Sequence, residues 1–152
     1  MPVRRALRAP HTIEDFIDRI LVVCPRCSNM ATVSSTGRPK RARLACKRCG
    51  LAKSQEIASY AVGETADPYF GLPLWLQASC STHTLWAYNS DHLAFLKQYV
   101  EATDRRRPVR SLAEPLNKLL ASRLPRWMQL SKNRDQIVKT IAVIETKLAE
   151  AG

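Results

Sequence analysis

CPRCSNMATVSSTGRPKRARLACKRCG, residues 24–50, decides how the chain is read. It holds Cys24, Cys27, Cys46 and Cys49 in the spacing C-x2-C-x18-C-x2-C. Two residues between cysteines allow a tight turn in which both sulfurs converge on one ion. Two such turns supply a tetrahedron of thiolates, the donor set of a closed structural zinc site. The 18 residues between the pairs suffice for a strand out, a turn and a strand back. One structural zinc ion is therefore expected, with iron or an iron–sulfur cluster as the chemical alternative. Four thiolates leave no open coordination position, which argues against hydrolytic metal chemistry. A thioredoxin-like redox pair would need a strand–helix context and only two cysteines.

Between the pairs lies a second layer. SSTGRPK carries turn residues, and the stretch contains no acid. Arg41 to Ala45 can be a strand entering the second pair, which would put Arg41 and Arg43 on one face. Together with Arg38 and Lys40 they could track a phosphate backbone. The competing reading is a solvated edge that resists strand pairing. Arg26, Lys47 and Arg48 sit inside the cysteine turns, where they can offset the negative charge of a tetrathiolate ion.

The stretch resembles the zinc-ribbon family, in which each cysteine knuckle closes the turn of a β-hairpin, commonly as Cys-Pro-x-Cys-Gly. Here CPRC is followed by Ser28 and CKRC by Gly50, so each knuckle matches in part. The resemblance covers about 40 residues and implies a metal-stapled β module. FGLPLWLQ, TLWAYNSDHLAFLKQYVEA and LASRLPRWMQLSKNRD are in turn similar to segments of small bacterial proteins with an N-terminal zinc ribbon. That second resemblance implies a bacterial origin and no particular activity.

Charge points to the partner. The 152 residues carry a formal net charge of +11. Residues 1–53 hold 12 Lys/Arg against 3 Asp/Glu, residues 54–103 hold 1 against 5, and residues 104–152 hold 11 against 5. Two basic blocks thus flank an acidic middle, the distribution expected of a protein that meets polyanions. No apolar run approaches the roughly 18 residues of a membrane span, and the first 20 residues lack the apolar core of a secretory signal. The expected location is the cytoplasm, where thiols stay reduced.

Around the stretch the chain reads as α+β in two parts, residues 1–63 and 64–152. The first part combines an N-terminal helix with the ribbon. Thr12 is a candidate cap, and Ile13, Phe16, Ile17, Ile20 and Leu21 fall at helical spacing. SQEIASYAV, residues 54–62, can be a strand leaving the second knuckle, and GETADP, residues 63–68, reads as a linker. The second part is a β-hairpin with packed helices: LPLWLQ and HTLWAY as strands, ASCS as their loop, and a helix from Asn89 or Ser90. A short helix opening at Pro115 follows the basic run Arg105–Arg107. A last helix begins near Asn133, with Ile137, Ile141, Ile144 and Leu148 as a stripe expected to pack on its own chain, a dimer seam being the alternative.

The second basic block offers another candidate contact surface. Arg123, Arg126, Lys132 and Arg134 interleave with Trp127, so stacking and phosphate contact are both open to it, as is simple anchoring of the indole. Trp75, Trp86, Tyr88 and Tyr99 lie in the acidic middle and read as core. Cys80 and His83 form a lone C-x-x-H with His92 nine residues on; lacking a fourth ligand beyond Asp91, they read as a buried thiol and a surface histidine. No acid–base or nucleophile constellation appears, so no enzyme is expected. The expected function is binding of DNA or RNA through phosphate contacts by a non-catalytic zinc-ribbon protein. The alternative is an adaptor that docks an acidic protein partner through the ribbon or the last helix.

Overall fold

Arg19–Val23 forms the first strand, β1, because its run of branched apolar side chains is buried on both faces. Ile20 and Val22 face one side and Leu21 the other, all but inaccessible to solvent. The computed structural model describes residues 16–37, 40–61, 65–103 and 126–151. β1 pairs antiparallel with β2 (Met30–Thr36), β2 with β3 (Arg41–Ala45) and β3 with β4 (Ala52–Glu56), giving a four-stranded sheet in sequential order. β2 and β3 alternate: Ala31, Val33 and Ser35, with Ala42 and Leu44, face the core, and the residues between them face out. β4 is exposed along its whole length, and Lys53 on that edge disfavours pairing with another chain.

The helix expected over residues 13–21 does not form across its second half. Phe16–Asp18 make a short turn, and Ile20 and Leu21 lie in β1; residues 12–15 lie outside the described residues. The reason is long-range. The Asn89 side-chain amide donates to the carbonyls of Phe16 (2.8 Å) and Arg19 (2.7 Å), and the Leu21 amide donates to the Tyr88 carbonyl at 2.8 Å. Backbone groups that a helix would have paired internally are paired elsewhere, and branched Ile and Val fit a strand better than a helix.

A second, two-stranded sheet joins β5 (Leu76–Cys80) to β6 (His83–Ala87). Ala78–Cys80, expected in the loop, are strand residues, so the turn is only Ser81–Thr82. Ser81 has φ 62, at the position where a two-residue hairpin favours glycine. The strand expected over residues 54–62 ends at Glu56. The stretch before β5 is a closed turn: the buried Asp67 carboxylate accepts the amides of Tyr69, Phe70 and Leu72 at 2.6–2.8 Å.

Helix α1 (Ser90–Thr103) starts from Asn89, whose side-chain oxygen accepts the His92 amide at 2.8 Å as an N-cap. A one-turn helix, α2 (Arg126–Gln129), leads through a 3-10 turn into α3 (Arg134–Ala151). α3 packs on β5 and α1 through Ile137, Ile141 and Ile144, with Leu148 half-buried. The two parts share one apolar core, and bonds from Val23 to Pro73 and from Trp75 to Leu21 join them through the backbone. Among the described residues no helix is long and apolar enough to cross a membrane. The expected helix at Pro115, the run Arg105–Arg107, Arg38 and Arg123 lie outside the described residues.

Candidate metal centre and basic sheet face

Each cysteine pair closes a hairpin, the first between β1 and β2 and the second between β3 and β4. The two turns repeat one backbone pattern. The Cys24 amide donates to the Asn29 carbonyl and the Ser28 amide to the Cys24 carbonyl; the Cys46 amide donates to Leu51 and the Gly50 amide to Cys46. All four bonds span 2.7–2.9 Å. The residue after each second cysteine is left-handed, Ser28 at φ 66 and Gly50 at φ 80. Ser28 thus adopts the glycine conformation at the cost an L-residue carries there.

Repetition of the turn brings four sulfurs together. Cys24 Sγ lies 3.7 Å from Cys49 Sγ, Cys27 Sγ lies 3.6 Å from Cys46 Sγ, and all four fall within 4.8 Å of one another. A tetrahedron with metal–sulfur bonds of about 2.3 Å has edges of about 3.8 Å. The four cysteines can therefore hold one metal ion. Cys24 and Cys46 are buried, and Cys27 and Cys49 half-buried. The amides of Arg26 and Cys27 point at Cys24 Sγ (3.3 and 3.5 Å), and the Asn29 side chain at Cys27 Sγ (3.6 Å).

Those donors favour thiolate, but the sulfurs oppose one another. The Asn29 amide, aided by its side chain, brings Cys27 down to about 6. At Cys49 the Leu51 amide also favours the thiolate, yet burial and the three neighbouring sulfurs outweigh it and push the thiol up to about 11. Four thiolates at these distances repel, so the fully deprotonated cluster is favoured when a cation sits among the sulfurs. Cys80 is buried at the end of β5 and stands apart from this group.

The same hairpins align cations. Cross-strand partners share a face, and the registers Arg19↔Ser34, Ser34↔Arg43 and Arg43↔Ser54 run a single row across all four strands. This outer face alternates guanidinium and hydroxyl, with Arg41 beside Thr36 in the next row. Ser34, Thr36, Arg41, Arg43 and Ser54 line a shallow depression of about 520 Å³. Among the described residues Arg19, Arg41 and Arg43 have no ion-pair partner; Glu56, opposite Arg41 in the register, makes none with it.

Other expected contact residues are placed differently. Lys40 lies away from Arg41 and Arg43, its ammonium over the rings of Tyr60 and Tyr69 at 5.5 and 5.8 Å. Trp127 is half-buried and stacks face to face on His83 at 4.4 Å. Arg134 pairs with Asp135 at 3.1 Å, while Arg126 and Lys132 are exposed. Cys80 is buried and His83 exposed, as expected, whereas His92 is buried against Phe16 and accepts the Tyr88 amide at Nδ1. Among the described residues no second group of metal-ligating side chains forms.

Sequence reasoning missed Arg19. A helical reading of residues 13–21 hides it, whereas reading RILVV as a doubly buried strand would have paired it with the ribbon. No family model matches the chain, and neither a curated protein nor a solved structure matches it.

Proposed function

We propose that the chain is a non-catalytic, zinc-stabilised protein that binds nucleic acid through phosphate contacts on the outer face of the four-stranded sheet. The observation that carries this reading is the row Arg19–Ser34–Arg43–Ser54. Two guanidinium groups without acidic partners among the described residues stand two strands apart, about 10 Å at ordinary strand spacing, with hydroxyls between them. Guanidinium and hydroxyl groups are common phosphate donors, and the chain's net charge of +11 adds a long-range attraction. Zinc suits four thiolates in a tetrahedron and requires no redox change. Its role is to hold β1–β2 and β3–β4 at the angle that keeps the row in one surface.

Metal analysis of the purified chain should give one zinc per chain; iron, or a coloured visible spectrum, would overturn the metal assignment. Binding to DNA and RNA should weaken steeply with salt. Each phosphate contact contributes about 0.9 to the log–log slope for duplex DNA, so replacing both Arg19 and Arg43 by Ala should lower the slope by about 2. Absence of binding to either polymer at low salt would sink the reading.

A further inference from the structure

Resting on that reading, we infer that the basic face binds single-stranded nucleic acid and seats one unpaired base in a cleft beside the second knuckle. Arg19 links the two regions, since it stands in the cation–hydroxyl row and also on the rim of this cleft. The cleft lies between the outer face of the sheet and the C-terminal end of α3, and its volume is about 610 Å³. That is within the roughly 300–1,000 Å³ of sites that enclose small organic groups.

Its lining suits a nucleobase better than phosphate alone. Met30 and the half-buried indole of Trp75 supply polarizable apolar wall, and Thr32 adds a hydroxyl to the lining. Lys47 and Lys147 sit at the rim, where the flanking phosphates would pass, and Glu150 is the one acid in the lining. Lys147 lies over the Trp75 ring at 4.8 Å, so a cation and an aromatic face stand together in the lining. The Trp75 indole N–H is buried with no hydrogen-bond partner among the described residues. A purely electrostatic surface would leave such a wall unused. In a duplex the base would have to be flipped out first, which adds the cost of unstacking and unpairing.

Ala45 supplies the test, because it is exposed, faces the cleft from β3 and supports no core contact. The full-length, metal-loaded chain is titrated with an oligothymidylate of about 12 nucleotides, within the span of a single-strand site, with an abasic strand of equal length and with a duplex. The oligothymidylate should bind about tenfold tighter than the other two, the value of one stacked base. Ala45→Ile should fill the cleft and erase that preference while leaving abasic-strand affinity, zinc content and thermal midpoint unchanged. Equal affinity for the three polymers, or an undiminished preference in Ala45→Ile, would overturn the base site. Salt-dependent binding that Arg19→Ala and Arg43→Ala weaken would still uphold the phosphate face in that case. Failure of all three polymers to bind at low salt would overturn both.

Discussion

The chain has two basic regions whose side chains meet different surroundings. On the sheet, Arg19, Arg41 and Arg43 are held by strand register and have no acidic partner among the described residues. At the start of α3, Trp127 is stacked on His83 and Arg134 is tied to Asp135, while among the described residues there Arg126 and Lys132 are exposed. Interleaved aromatic and basic residues look like a nucleic-acid surface when written in one line. Packing spends the aromatic on the fold. What distinguishes a contact surface is which groups remain without partners, and composition does not report that.

The largest test of this contrast is to remove the metal ligands. Cys46→Ser should lower metal content from one ion towards zero, shift thermal unfolding downward by more than about 10 °C and abolish nucleic-acid binding, because structural metal binding is coupled to folding. Cys80→Ser, at the buried thiol outside the cluster, should keep the full metal content. Retained binding in metal-free Cys46→Ser would show that the sheet face does not need the metal, and the contrast would collapse.

Acid probes the shared core next. Burial pushes His92 down to about 3, and Nδ1 accepts the Tyr88 amide, so the folded chain holds it neutral. The unfolded chain protonates near pH 6.5, hence stability is fully present above that pH. It should fall by about 1.4 kcal/mol per pH unit below it, until the folded group itself titrates near 3. Denaturant unfolding of His92→Gln beside the parent should remove that slope. An unchanged slope would mean that other groups govern acid unfolding.

Smaller effects compare the two basic regions directly. Replacing Arg19 and Arg43 by Ala should weaken nucleic-acid binding about tenfold at low salt, whereas replacing Arg126 and Lys132 should change it less than about twofold. Equal losses would place the contact surface across both regions. The smallest expected effect concerns the two left-handed serines. Ser81→Gly relieves a positive φ and should raise stability by about 0.5–1 kcal/mol in urea titrations. Ser28→Gly should do the same only in the metal-loaded chain, because its turn is shaped around the sulfurs.

Much of the metal centre was legible because it is a short-range pattern. C-x2-C constrains the backbone so tightly that two copies repeat the same hydrogen bonds, even though one turn ends in Ser28 and the other in Gly50. β3 was equally readable, since the alternation of RARLA is local. β1 was not. Ile13, Phe16, Ile17, Ile20 and Leu21 do fall at helical spacing, and the competing factor is an amide at Asn89, some 70 residues away, that takes the carbonyls of Phe16 and Arg19.

Local spacing was enough to say that four thiols converge closely enough to hold one ion, because that depends on neighbours in the chain. Which cations share a surface was settled only by tertiary structure. Strand pairing sets Arg19 beside Ser34 and Arg43, and core packing turns Lys40 and Trp127 towards other rings. The physical reason is that a side chain's availability depends on every group it meets in space, and those groups come from segments far apart in the sequence.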